Sequence, residues 1–537
     1  MRLRSFVLAL IAVFYSLNLL ADDVHHHDSH DTGEKLGTVN FPISCPAAAQ
    51  KPFERGLALL YSFEYEEADN QFKAVAAADS KCAMAYWGQA MTRFHQLWGR
   101  PNKEDLQSGH DLLEKARQLK PATQRERDYI AAIALFYRQS SQLDHKRRVA
   151  DYARAMGRIH DRYPQDREAS VLYALALLSS APDRDPHQVN ERKAVAILNQ
   201  IFAEQPDHPG VAHYIIHACD NPSMAALGLD AARKYAAIAP SSPHAVHMPS
   251  HIFARLGLWQ ESIHSNLAAI AAADKMEAEH LHVFHHKLHS MDFLQYAYLQ
   301  IGDDAKAKAV VESVAAIPRA QLMPDFYDYY DDMMANFPAN YAIETRRWED
   351  AIKLQPATSA APYVQVVTWW ARAVAAGHLH DAAVAADALE HYDQLLETIR
   401  KGPKPYMANG MKHERDIVQS WTFYAQGKNE DAVRLMRSVA DEQDQVGKRE
   451  TELPAREMLA DMLLDMNRPA ESLAEYETSL KTDPNRFNGL YGAAHAAELA
   501  QQKEKAAGYY AQLIKNCAGS NSDRPELERA RTLVAQK

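Results

Sequence analysis

The stretch ADMLLDMNRPAESLAEYETSLKTDPNRFNGLYGAAHAAELAQQKEKAAGYYAQL, residues 460–513, decides the fold. It carries one pattern twice without a gap: Ala460 and Ala494, Ser472 and Ala506, and Tyr476 and Tyr510 are all separated by the same interval. Apolar residues recur at spacings of three and four, the signature of helices with one buried face. In each copy a small residue stands four before an aromatic, and Pro484 closes the first copy. Small residues let paired helices approach, the aromatic fills the gap between units, and proline ends the second helix.

The same spacing recurs upstream as Ala68, Phe72, Val75, Ser80, as Ala194, Leu198, Ile201, Pro206, and as Ala231, Tyr235, Ile238, Pro243. Further units are expected around GDDAKA (302–307), WEDA (348–351), GHLHDA (377–382) and GKNEDA (427–432). Two helices and a turn in a unit of about 34 residues is the tetratricopeptide (TPR) pattern, and the interval from Tyr476 to Tyr510 matches it. The prediction is an all-α, right-handed TPR-type helical-repeat solenoid of antiparallel helix pairs, with about eight to ten units. MPDFYDYYDDMMANFPANY (323–341) breaks the rhythm and divides an N-terminal array, 41–320, from a C-terminal one, 321–537.

The first residues, MRLRSFVLALIAVFYSLNLLADD, read as a secretory signal peptide over 1–21. Leu19 at the minus-three place fits a small-x-small cleavage rule poorly, which leaves an uncleaved anchor as the alternative. Cleavage predicts a periplasmic or secreted protein with no membrane span. Residues 22–40, with His25, His26, His27 and His30 among acidic residues, predict a disordered segment, either a loose metal trap or a solubilising tail. Without Arg2 and Arg4 the formal charge goes from −11 to −13, and no basic block remains. That excludes nucleic acid and anionic membrane surfaces as partners. Four cysteines stand at 45, 82, 219 and 517. In an exported chain Cys45 and Cys82 are candidates for a disulfide, two buried thiols being the alternative.

Twelve of the 26 histidines fall between His208 and His289, where even scatter would put about four. The repeat register places them on the first helices of three successive units. One-face spacing groups His213, His217 and Asp220; His244, His247 and His251; and His285 or His286 with His289 and Asp292. First helices stack side by side along the concave face, so the three stripes are expected to converge. The candidate metal ligands are His213, His217, Asp220, His247, His251 and His289, with His244, His286, Asp292 and His95 as additional ones. Pro249 in the first turn of its helix would leave the 247/251 geometry unfixed by helical period. Imidazoles with one or two carboxylates suit a divalent transition metal, zinc, copper or iron, better than calcium or magnesium. More than four ligands leaves room for two ions or for outer partners of the ligands. The chain has no Gly-rich phosphate loop, no G-x-S-x-G and no H-E-x-x-H.

ISCPAAAQKPFERGLALLYSFEYEEA (43–68), CAMAYWGQAM (82–91), HPGVAHYIIHACD (208–220), PHAVHMPSHIFARLGLW (243–259), LPAREMLADMLL (453–464) and DPNRFNGLYGAAHAAE (483–498) resemble a family of bacterial exported TPR proteins. The resemblance spans essentially the mature chain. It implies that His213, His217, His247, His251 and His289 occupy the family's histidine positions and Asp220 its acidic one. Ser290 and Asp292 depart from the pattern, where the family often has asparagine and a second histidine. The resemblance names no reaction.

The expected function is an exported scaffold that binds a protein or peptide in its concave groove, with a histidine-rich metal site there. Its rivals are a metal-dependent hydrolytic or oxidative enzyme on the same solenoid, and a metal-free scaffold whose histidines sense acidity.

Overall fold

The protein is described by a computed structural model over residues 34–537, except for 98, 183–184, 279–283, 320–321, 323–326 and 536–537. The expected signal peptide, and the part of segment 22–40 up to residue 33, lie outside the described residues. Residues 35–40 form no regular element and are seated on the solenoid. Leu36 and Val39 are buried there, and the Thr38 N–H donates to the Asp207 carbonyl at 3.0 Å. These two apolar side chains anchor the last part of a stretch whose polar composition predicted disorder.

Every regular element among the described residues is a helix, and neighbours in the chain pack as antiparallel pairs in a TPR-type solenoid. Short polar side chains start many of them: Asn102, Asp144, Asp166 and Ser242 each accept a backbone N–H of the first turn, and Thr123 with Glu126 forms a capping box. The repeat logic is visible at Gly492, where a Cβ would stand 2.2 Å from the Tyr476 ring. Tyr476 is fully buried and its hydroxyl is bonded to Asp461, so the ring cannot swing away. Gly492→Ala is therefore expected to lower stability by about 1 to 3 kcal/mol, read as a lower urea midpoint. An unchanged midpoint would show that the ring yields freely.

Cys45 and Cys82 are joined in a disulfide across a separation of 37 residues, which stabilises by about 3 to 4 kcal/mol through loop closure. Cys219 and Cys517 are free and buried.

The division expected at 320/321 does not separate two cores. Tyr330, Met333 and Phe337 pack with Leu288, Phe293 and Leu294, so helix Tyr327–Glu344 continues the stack begun by Phe284–Gln300. The C-terminal units also fold back onto the middle of the chain. The Trp259 indole N–H donates to the Asn485 carbonyl at 2.7 Å, and the Phe487 N–H donates to Gln300 Oε1 at 3.1 Å. This return brings residues 447–452 against the histidine helices.

Candidate metal centre

Three first helices carry the cluster: Pro209–Cys219; Pro243–His247, continued by Pro249–Arg255; and Phe284–Gln300. Pro249 interrupts the hydrogen-bond ladder of the middle helix but not its course. Met248 between the two parts keeps helical angles, φ −50° and ψ −35°, and Pro249 sits where no N–H is needed. His247 and His251 thus still share a face.

The histidines divide into two sets of three. In the first, His213 Nε2 lies 3.0 Å from His217 Nε2 and 3.1 Å from His244 Nε2. In the second, His247 Nε2 lies 3.1 Å from His251 Nε2, and the His289 ring stands 4.5 and 5.5 Å from theirs, centre to centre. Within each set the three nearest ligand atoms fall within 4.8 Å of one another, close enough to hold one metal ion. The sets adjoin, with His244 and His247 6.3 Å apart and His217 and His251 6.4 Å apart. His213, His244, His247 and His251 are buried, and His217 and His289 partly so.

Outer partners fix which nitrogen faces inward. His213 Nδ1 is 2.6 Å from the Tyr61 carbonyl, which only accepts, so Nδ1 carries the hydrogen and a neutral ring presents a bare Nε2. His247 Nδ1 is 2.7 Å from Asn266 Oδ1, whose amide nitrogen is committed to the Ser262 carbonyl. His251 Nδ1 lies 2.8 Å from Asp220 and 3.0 Å from Glu450. Burial holds His213 and His289 unprotonated down to about 3, and holds His217, His244 and His247 well below the usual range. His251 differs: burial opposes its charge, but Asp220 and Glu450 raise it to about 10.

Each set also has a phenylalanine against all three rings. Phe63 stands 4.4, 5.5 and 5.6 Å from His213, His217 and His244. Phe293 stands 5.0, 4.6 and 5.3 Å from His247, His251 and His289. Phe63 holds a left-handed backbone, φ +59°, which costs a non-glycine residue about 1 to 3 kcal/mol. That strained turn after helix Ala47–Tyr61 puts its ring over the imidazoles.

Four candidate residues fall outside both sets. Asp220 ends helix Pro209–Cys219 and turns from the first set to His251 Nδ1. It shares Arg255 with Glu450: the guanidinium is 2.9 Å from Asp220 and 3.5 Å from Glu450. Asp220, His251 and Glu450 are also near enough to hold an ion, but Arg255 already supplies the cation. His286 faces Glu64 at 3.3 Å, and Asp292 accepts the Thr451 hydroxyl at 3.2 Å. His95 packs on Tyr65, ring centres 4.4 Å apart. His244, expected only as an additional ligand, belongs to the first set.

One signal for this division stands in the sequence. His213 and His247, and His217 and His251, are separated by the same interval as Tyr476 and Tyr510, the repeat period itself. Each centre is an i, i+4 pair from one unit plus a histidine from the next. The third ligands, His244 and His289, stand further apart than one period. Helix Trp259–Ala278 runs to 20 residues where its counterpart Ala225–Ile238 has 14, and further residues follow it.

No family model matches the chain, and no curated protein matches it. Among solved structures it matches the P58(IPK) TPR domain with 14% identity over 91% of this chain and 99% of that one, at a TM-score of 0.20. It matches human IFIT1, a dimer with m7Gppp-AAAA, with 10% identity over 86% and 95%, at a TM-score of 0.37. A third match is Naa15/Naa10 bound to HypK-THB, with 13% identity over 91% of this chain and 73% of that one, at a TM-score of 0.23. The fold assignment rests on the helix pairs and on the repeat period.

Proposed function

We propose that the protein is an exported TPR scaffold that holds transition-metal ions in two adjacent three-histidine centres. One observation carries this reading: ring nitrogens whose hydrogens are committed elsewhere face one another. His247 spends its Nδ1–H on Asn266 and presents a bare Nε2 3.1 Å from His251 Nε2, and these two rings form one set with His289 that could hold an ion. His213 Nε2 can accept a hydrogen from His217 or His244, but not from both. A cation at each centre satisfies all three rings, which a single shared proton cannot. The outward partners of His213, His247 and His251 are those that orient metal-bound imidazoles. Export is supported by the apolar N-terminal run and the Cys45–Cys82 bridge.

A metal-dependent enzyme is the second reading, and one feature favours it. Three protein ligands leave a coordination position open, whereas structural zinc sites fill four. The partly buried His217 and His289 are the sides from which a small molecule would enter. Peptide binding at this face is less favoured, because residues 447–452 of the same chain lie against it. Among the described residues no helix is long and apolar enough to cross a membrane.

The test uses the full chain carrying His25→Ser, His26→Ser, His27→Ser and His30→Ser, purified without a tag or chelator. Metal per chain is read by plasma mass spectrometry. Two ions per chain are expected, falling to one in His213→Ala/His217→Ala and to one in His247→Ala/His251→Ala. If zinc, copper and iron all fail to bind stoichiometrically, the metal reading is wrong and a metal-free scaffold remains.

A further inference from the structure

We propose that the turn joining helix Lys103–Gln118 to helix Gln124–Tyr137 binds a small organic phosphate, held by Lys120, Arg127 and Arg117 above an apolar floor. This site lies apart from the histidine face and does not rest on the metal reading.

A depression of about 450 Å³ opens at the turn. Small-molecule sites run from roughly 300 to 1,000 Å³, so it is large enough for one. Its lining is of two kinds. Pro121, Ala122, Ile130 and Ala131 are apolar, with Pro121 and Ile130 buried, while Arg117, Lys120 and Arg127 are cationic and exposed. No carboxylate is among the lining residues, in a protein whose formal charge is −11.

Two of these cations are not answered within the fold. The neighbouring carboxylates are engaged elsewhere: Glu114 pairs with Arg117 at 2.7 Å, Asp128 with Arg162 at 3.1 Å, and Glu126 is buried against Ser44 and Thr123. Arg127 donates only to uncharged oxygens, the carbonyls of Pro121 at 2.6 Å and Ala122 at 3.1 Å and the Gln124 side chain at 3.1 and 3.2 Å. Those bonds fix the guanidinium without neutralising it. Among the described residues the Lys120 ammonium has neither an ion pair nor a hydrogen bond. Arg117 stands in the last turn of its helix, where the dipole favours a cation. Arg127 stands near the start of the next helix, where the dipole opposes a cation and attracts an anion.

The charge and the floor together define the ligand. A phosphate monoester carries about −1.5 to −2 near neutral pH, which matches the two unanswered charges, whereas a single carboxylate matches one. Lysine meets it as a point charge and arginine through a planar fork. Arg117 can turn to it as well, because an exposed ion pair like that with Glu114 yields readily. The organic part of the ligand covers Pro121 and Ile130.

The experiment is isothermal titration calorimetry on the full chain in phosphate-free buffer, with phenyl phosphate, inorganic phosphate and benzoate as separate ligands. Lys120 has a left-handed backbone, φ +51°, which glycine adopts without strain, so Lys120→Gly removes the ammonium and spares the turn. Its urea midpoint should not fall. One phenyl phosphate per chain is expected, with Lys120→Gly and Arg127→Gln each weakening it by about 10-fold or more. Benzoate and inorganic phosphate should bind more weakly than phenyl phosphate, for lack of charge and of an apolar body respectively. Unchanged affinity in Lys120→Gly would put the phosphate elsewhere, for example on a bound metal, and would overturn the proposal. So would the absence of phenyl phosphate binding, benzoate binding as tightly, or inorganic phosphate binding as tightly, which would mean an adventitious ion only.

Discussion

Arg486→Met is expected to destabilise the junction between the middle and the C-terminal units by about 3 to 5 kcal/mol. Arg486 is 1% exposed and is the first residue before helix Phe487–Leu499. Its guanidinium donates to Glu457 at 2.8 and 2.9 Å, to Glu344 at 2.7 Å, and contacts the Tyr296 hydroxyl. Asn488 donates to the Glu344 carbonyl and carboxylate at 3.0 and 3.2 Å. Methionine fills much of the same volume but leaves two carboxylates facing each other, buried and without a cation. The penalty is that of the orphaned charges, not of a lost contact. It separates from simple cavity formation by the triple variant Arg486→Met/Glu344→Gln/Glu457→Gln, which should regain most of the loss. Because neighbouring units communicate through their interfaces, hydrogen exchange should quicken first in helix Phe284–Gln300 and helix Ala455–Asp465. A loss of unfolding free energy below about 1 kcal/mol in urea would mean that water reaches the carboxylates and that the junction is held by apolar contacts alone.

The same junction shows what the sequence could and could not disclose. Helix pairs, their period and the histidine helices were legible because the period is local: Tyr476 and Tyr510 repeat one chemistry in successive units. Grouping the histidines by helix face gives only part of each set. His213 with His217 and His247 with His251 are within-helix pairs fixed by helical geometry. The third member of each set comes from the next unit, and that depends on inter-unit rotation, which no single helix encodes. Asp220 stands just past the end of its helix at Cys219, so helical spacing does not aim its side chain at His213 and His217, and it faces His251 Nδ1 instead. Glu450 was invisible: 199 residues separate it from His251, and only the return of the C-terminal units joins them. Phe63 and Phe293 looked like ordinary core residues, since packing on imidazoles and packing on leucines call for the same side chain.

Because Asp220 and Glu450 reach His251 from opposite arms of the chain, removing either should weaken the second centre and leave the first intact. Asp220→Asn and Glu450→Gln are each expected to lower metal affinity at the His247/His251/His289 set by about 10- to 100-fold. The physical cause is orientation and basicity. A carboxylate on Nδ1–H holds the ring so that Nε2 points at the ion, and its charge makes Nε2 a stronger donor. An amide keeps the shape but gives up the charge and can turn its N–H₂ toward the ring. Arg255 sharpens the contrast, because it stays beside the remaining carboxylate and competes with His251 for it. The measurement is a competitive titration against a chromophoric chelator in the His213→Ala/His217→Ala background, where only the second centre remains, repeated in the His247→Ala/His251→Ala background for the first. A positioning role requires loss in the former and none in the latter. Equal loss at both centres would mean that the substitutions loosen the whole histidine face, and no loss would mean that His251 needs neither carboxylate to find its ion.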